Sequence, residues 1–178
     1  FNVAIAGATG AVGGAMLDVL ARRDFPLDEL RLLASERSVG KTLNFKGKEI
    51  PVQLLSKDAF AGIDIALFSA GATRSFDFAP AAAAAGAVVV DNSSAYRLDP
   101  QVPLVVPEAN AAALVGYDGR LVANPNCTTA AAVVALAPIR DLAGLESVDL
   151  ASYQAVSGAG RAGVDAFVSE RATDGRTD

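Results

Sequence analysis

Short, nearly continuous apolar runs alternate along this chain with helical stretches, and that alternation limits the fold more than any other feature. "NVAIAG" (2–7) precedes "AVGGAMLDVLARRD" (11–24), where Val12, Met16, Val19 and Leu20 fall on one helical face. "ELRLLAS" (29–35), "IDIALFSAG" (63–71), "AVVVDNS" (87–93) and "LVANPN" (121–126) repeat the strand pattern. A helix is expected from about Thr128 to Leu142, and "SVDLASYQAV" (147–156) alternates like a further strand. Gly47 with "EIPVQLL" (49–55) predicts a short strand pair, and "APAAAAAG" (79–86) a helix closed by Gly86. Strands apolar on both faces need helices on both sides. The expectation is therefore an α/β, Rossmann-like doubly wound, mostly parallel sheet.

Composition bounds the function. Hydrophobic residues make up 52% of the 178, enough for a full core. No apolar run approaches the ~20 residues that span a bilayer, so no membrane partner is expected. The net charge of −5 weighs against nucleic acid as a partner. One cysteine and no histidine exclude an internal disulfide framework, a Ser-His-Asp triad and a Cys-His dyad, and make a structural zinc site a poor fit. The compartment expected for such a chain is reducing cytoplasm. The chain begins at Phe1 rather than Met, and beyond residue 156 it turns glycine-punctuated and then polar. That end is expected to be the entrance to a second region.

Residues 7–13, "GATGAVG", stand directly after a strand and directly before a helix. Gly7 suits a tight turn, Gly10 lets a pyrophosphate approach the backbone, and Gly13 lets the helix pack against the sheet. A plain tight turn is the alternative. At the end of the second strand, a dinucleotide fold that takes NAD carries an acid for the ribose hydroxyls. Here "ASERSVGK" (34–41) puts Arg37 and Ser38 there, and residues 37–48 hold Arg37, Lys41, Lys46 and Lys48 without an acid. That pattern favours the 2′-phosphate of NADP over NAD. The alternative is a solvated basic loop with Glu36 beside it.

Cys127 follows a strand and opens a helix, where backbone N–H groups favour a thiolate and could also hold an oxyanion. An inert packing cysteine is the competing reading. Strand ends at Ser69–Gly71, Asn92–Ser94 and Asn124–Cys127 join the glycine loop on one edge of the expected sheet, where such folds bind ligands. A thiol near a nicotinamide provides the parts for acyl reduction.

With these segments the chain resembles the aspartate-semialdehyde dehydrogenase family. The matching stretches are "GATGAVG", "ASERSVGK", "ALFSAG" (66–71), "VVVDNSSAYRLDPQVPLVVPEAN" (88–110), "ANPNCTT" (123–129) and "SYQAVSGAGRAG" (152–163). N-acetyl-glutamyl-phosphate reductases usually carry glycine before the cysteine, and glyceraldehyde-3-phosphate dehydrogenases carry serine. The resemblance implies an NADP-dependent reduction of aspartyl phosphate to aspartate semialdehyde and phosphate, in the route to lysine, methionine and threonine. It implies that Cys127 carries the acyl group and Gln154 orients it. Arg97 would bind phosphate, with Asn92 helping. Thr9, Gly10, Ala11 and Val12 would line the cofactor phosphates beyond Gly7, Arg37 and Ser38 would meet the 2′-phosphate, and Ser157 and Gly158 would lie near the nicotinamide. Taken as residues alone, Arg97 reads as a surface partner of Asp99, and Gln154 as a strand-edge amide.

The resemblance also implies a division. Residues 1–127 would be the NADP-binding domain and 128–178 the beginning of an α+β catalytic and dimerisation domain, whose helix starts over 162–172. The full-length form would be a homodimer or homotetramer. The family's histidine base, and its later acid and second arginine for the substrate, have no match here. The chain alone is therefore expected to turn over poorly. The alternatives are another acyl-phosphate reductase, such as the N-acetyl-glutamyl-phosphate type, and a silent nucleotide-binding module, which the missing histidine favours.

Overall fold

A computed structural model describes residues 1–173, with the backbone alone at positions 161, 162, 172 and 173. The chain divides into two compact units, Phe1–Glu146 and Ser147 onward. The first unit opens with β1 (Asn2–Ala6), α1 (Ala11–Arg22) and β2 (Glu29–Ala34). A hairpin of β3 (Thr42–Phe45) and β4 (Lys48–Leu54) follows, turning at Lys46 and Gly47. Then come β5 (Ile65–Phe68), α2 (Ala72–Ala84), β6 (Val88–Asp91), the short α3 (Pro107–Asn110), β7 (Leu121–Ala123) and α4 (Cys127–Ala143).

The seven strands lie in the order β3-β4-β2-β1-β5-β6-β7, and only the β3–β4 pair is antiparallel. The chain winds outward one way from β1 through β2 to β4, then returns and winds the other way from β5 to β7. That reversal leaves a crevice beyond the carboxyl ends of β1 and β5, the place where doubly wound sheets bind ligands. The sheet expected from the apolar runs is the sheet observed.

β1 explains why both faces are covered. Val3 and Ile5 point to one side and pack with Leu17 and Leu20 of α1, Leu32 and Val52. Ala4 and Ala6 point to the other and pack with Ala79 and Ala82 of α2, Phe60 and Phe68. Burying each leucine of α1 contributes about 1.5–3 kcal/mol. Where α2 meets this face, Ala79 and Ala82 face alanines of β1, so the alanine run is a packing surface. α2 closes with a Schellman motif: Ala87 N donates to Ala82 O (3.1 Å) and Gly86 N to Ala83 O (3.0 Å). Gly86 has φ 103°, the left-handed conformation that this cap requires.

Four sequence expectations are corrected. The inward stripe of α1 is Gly13, Leu17 and Leu20, while Val12 and Val19 are exposed. The first turn of α1 packs on the glycine loop, so the helix is phased by Gly13 rather than by its larger apolar neighbours. α2 begins at Ala72, well before the alanine run, and β7 ends at Ala123, because Pro125 has no N–H for a ladder. Residues 147–155 form no strand. Val148, Leu150 and Tyr153 are exposed there, and among the described residues no neighbouring strand pairs with them. Alternation marks a face, but a ladder needs a partner. The second unit holds α5 (Gly160–Thr173), close to the expected 162–172.

Glycines 13 and 14 of α1 give a paired test. A Cβ on Gly13 would collide with the Gly7 carbonyl oxygen and stand 2.7 Å from Ala8 Cα, whereas one on Gly14 meets nothing within 4 Å. Gly13→Ala is expected to destabilise by about 1–3 kcal/mol. Gly14→Ala is expected to stabilise by up to about 1 kcal/mol through helix propensity. Denaturant unfolding of the two variants checks the opposite signs.

Candidate functional site

A cleft of about 800 Å³ opens at the carboxyl ends of β1, β2, β4 and β5. Its floor is the glycine loop, represented by Gly7, Thr9 and Gly10. Gly7 has φ 93°, and a Cβ there would stand 2.5 Å from Ser69 O, so only glycine lets β1 turn so close to β5. Gly10 N bonds Gly7 O (3.0 Å), and the first bond of α1 runs from Gly14 N to Gly10 O (2.9 Å). Among the described residues, the N–H groups of Thr9, Ala11, Val12 and Gly13 find no acceptor, and no side chain caps the helix. These donors and the positive end of the helix make a cradle for a phosphate-type anion. Ala11 and Val12 contribute backbone only; their side chains do not line the cleft.

The wall beyond β2 carries Ser35, Glu36 and Arg37. Ser38 is buried at 5% exposure, its hydroxyl 3.3 Å from Thr9 Oγ1, where it joins the end of β2 to the glycine loop. The opposite wall carries Arg74 and Phe78 of α2. Leu54 and Leu55 complete an apolar side. Arg74 was not among the residues singled out in the sequence.

A second group gathers where β6 and β7 end. Asn124 Nδ2 donates to Asn92 Oδ1 (2.7 Å). Arg97 Nε donates to Asn124 O (3.0 Å) and Nη2 to Asn92 O (3.1 Å). Arg97 is thus held in place by two carbonyls, and the surface pair with Asp99 does not form. Its remaining N–H groups stay available for an anion. Asn124 Oδ1 is buried and has no partner among the described residues.

Cys127 is the first residue of α4 and is exposed. Asn126 is the N-cap: its Oδ1 accepts from Thr128 N (2.9 Å) and Thr128 Oγ1 (2.5 Å), and lies 3.9 Å from Cys127 Sγ. Asn126 therefore fixes the turn that presents the thiol. "NPNC" places an Asx-type cap directly before the cysteine, and that signal was present in the sequence.

Gln154, Ser157 and Gly158 belong to the second unit. Gln154 lies outside any strand, so it is not a strand-edge amide. Within the unit its side chain covers Gly158, where a Cβ would stand 3.1 Å from Gln154 Cδ. Ser157 and Gly158 form part of a single-turn 3-10 helix, Val156–Ala159.

Comparison with known proteins fits this geometry. The family model "Semialdehyde dehydrogenase, NAD binding domain" matches residues 2–117, and "Semialdehyde dehydrogenase, dimerisation domain" matches 136–178. The chain belongs to the semialdehyde dehydrogenase family. Aspartate-semialdehyde dehydrogenase of Aquifex aeolicus is 56% identical over 167 residues, which are 93% of this chain and 49% of that relative. A structure of aspartate semialdehyde dehydrogenase II from Vibrio cholerae, complexed with ASA, matches with a TM-score of 0.91 at 52% identity. It covers 97% of this chain and 52% of the other. Aspartate semialdehyde dehydrogenase with NADP from Candida albicans matches at 27% identity and a TM-score of 0.66, covering 82% of this chain and 48% of that one. The chain spans about half the length of the relatives it matches. The family resemblance seen in the sequence motifs holds, and the first unit carries a domain of the nicotinamide-dinucleotide-binding class. Among the described residues no helix is long and apolar enough to cross a membrane.

In this semialdehyde dehydrogenase fold the loop carrying Asn92 and Arg97 is tied down by Asp91, which sequence reasoning passed over. Asp91 is fully buried. Its Oδ1 accepts from Ser75 Oγ (2.8 Å) and Ser93 N (3.1 Å), and its Oδ2 from Ser93 Oγ (2.7 Å). Tyr96 OH donates to Ser75 O (3.3 Å) and its ring packs against Phe76. Burial, and then the charges of Asp91 and Asp99, raise the Tyr96 phenol above its ordinary value of 10.0. The folded state therefore holds this proton more tightly than the unfolded chain. Its contribution to stability is complete below pH 10 and is lost as pH rises through the raised value. Ultraviolet titration of the tyrosines should contain a late component that Tyr96→Phe removes, and Tyr96→Phe should lose stability less steeply above pH 10.

Proposed function

We propose that this chain is the cofactor and nucleophile half of an NADP-dependent aspartate-semialdehyde dehydrogenase. The reaction is the reversible reduction of L-aspartyl 4-phosphate to L-aspartate 4-semialdehyde and phosphate. The observation that carries this reading is the thiol at the start of α4, on the same sheet edge as a glycine-loop cleft, within a chain of this family.

The residues fit a dinucleotide. The four N–H groups of the glycine loop and first turn of α1 that are unpaired among the described residues suit a pyrophosphate, and the apolar side of the cleft suits an adenine. Gly7, Thr9, Gly10, Ala11 and Val12 would hold the phosphates, and Arg37, with Ser38 beside it, the 2′-phosphate. When bound, the cofactor supplies or accepts the hydride.

Cys127 Sγ attacks the acyl carbon of the acyl phosphate. A C–S bond forms, the bond to the phosphate oxygen breaks, and phosphate leaves toward Arg97, whose free N–H groups suit a tetrahedral anion. Asn92 and Asn124 hold that guanidinium rather than reacting. Gln154 would orient the acyl group, with Ser157 and Gly158 against the nicotinamide. The bound cofactor would supply the hydride that reduces the Cys127 thioester, and release of the aldehyde would restore the thiol. Residues 1–127 serve as the cofactor domain, and those from 128 begin the catalytic and dimerisation domain. The full-length form acts as a homodimer or homotetramer, in the reducing cytoplasm that a nucleophilic thiol suits.

No histidine is present to move protons at sulfur or at the departing oxygen. Turnover of this chain alone is expected to be about 10²–10⁴-fold below that of an enzyme with a general base. Mass spectrometry after incubation with NADP⁺ and aspartate semialdehyde, without phosphate, should find an acyl adduct on Cys127, and none in Cys127→Ser. An adduct that survives in Cys127→Ser overturns the assignment of the nucleophile. For the cofactor, Arg37→Ala should weaken NADP⁺ by about tenfold while NAD⁺ changes less than about twofold, read by calorimetry. Equal weakening of both would remove Arg37 from the 2′-phosphate.

A further inference from the structure

We propose that Arg74 is a second specificity-determining cation in the cofactor cleft and that it holds the 2′-phosphate together with Arg37. This rests on the dinucleotide reading above and adds a residue that the motifs do not identify. Arg37, at the end of β2, and Arg74, on α2, line the same cleft from different elements. Both are exposed, and among the described residues neither has an acidic partner or a hydrogen-bond acceptor. Glu36 is the acid that lines this cleft, and it forms no ion pair with either arginine. Two unneutralised guanidiniums facing one cavity in a chain of net charge −5 describe an anion site.

The position of Arg74 has no structural explanation. It is the third residue of α2, in a first turn without an acid and without a side-chain cap. A cation there opposes the helix dipole, and the stabilising place for arginine is the last turn. The first bond of α2 runs from Ser75 N to Gly71 O (3.0 Å), so the N–H groups of Ala72, Thr73 and Arg74 lack backbone acceptors among the described residues. An anion beside Arg74 would reverse the unfavourable charge and meet these donors as well.

The cleft also indicates which anion. The glycine loop takes the bridging phosphates, and in this fold the ribose of the adenosine half lies by the end of β2. Arg74 shares a helix face with Phe78, four residues on, and Phe78, Leu54 and Leu55 make the apolar side that an adenine needs. A phosphate on that ribose has Arg37 on one wall and Arg74 on the other.

The test is calorimetric binding to the whole 178-residue chain. NADP⁺ and NAD⁺ are titrated, with 2′,5′-ADP and 5′-ADP as fragments, into wild type, Arg74→Ala, Arg74→Lys and Arg37→Ala. Thermal unfolding of each variant verifies that it is folded. Arg74→Ala should weaken NADP⁺ and 2′,5′-ADP about tenfold and leave NAD⁺ and 5′-ADP within about twofold. Arg74→Lys should recover part of the loss by charge alone. Equal weakening of NADP⁺ and NAD⁺ would put Arg74 on the shared adenosine and overturn the proposal. So would no change in Arg74→Ala when Arg37→Ala loses its preference for NADP⁺, an outcome that leaves the NADP reading intact. If neither variant alters a discrimination that wild type itself lacks, the NADP reading fails along with it.

Discussion

The close approach of α1 to the backbone of the glycine loop is the contact on which the rest of the first unit depends. Gly13 lies against Gly7 O and Ala8 Cα with no room for a methyl group. That contact sets the phase of α1, which then directs Leu17 and Leu20 into the sheet. The same approach leaves the first-turn N–H groups facing outward instead of into packed backbone. Packing and anion binding therefore come from one geometry. A side chain at Gly13 would push the helix off the sheet and spoil both.

Asp91 performs a comparable task on the other side of the crevice. Burying a carboxylate is unfavourable unless donors surround it. Here three donors from Ser75 and Ser93 do so, which fastens α2 to the turn after β6. That turn carries Asn92, and five residues later Arg97, whose guanidinium binds back to the carbonyls of Asn92 and Asn124. The arginine reaches the strand ends already ordered. An anion arriving there has little side-chain entropy to overcome, because it was lost on folding.

The sheet, the glycine turn and the cysteine-bearing helix were legible because each has a local cause. Apolar runs declare buried strands, a positive φ demands glycine at position 7, and Asn126 is a good cap wherever it occurs. The failures share a different cause. The inward face of α1 depends on how close the helix sits to its neighbours, which periodicity does not encode, so Val12 and Val19 share an apolar stripe with Leu20 and yet lie outside. The alternation of 147–156 marks apolar positions but cannot provide a second strand. Asp91 and Arg74 gain meaning only when α2 is brought beside β6 and the glycine loop. Neither stands in a spacing that a linear reading would mark.

Charge distribution carries the last step. A chain with an excess of acids would be expected to spread its arginines among acidic partners. Arg31 and Arg140 follow that habit, paired with Glu29 and Asp141. Arg37, Arg74 and Arg97 do not: among the described residues two face the cleft without a partner, and the third is held only by neutral carbonyls. All three stand beyond the carboxyl ends of the strands, where the helix N-termini also point. Cations and helix dipoles of the same sign at one edge repel each other, and folding gains nothing from placing them together. The arrangement is favourable only when anions come to that edge. The acyl phosphate and the dinucleotide proposed above would supply that negative charge, and their binding would then relieve a repulsion that the fold keeps in their absence.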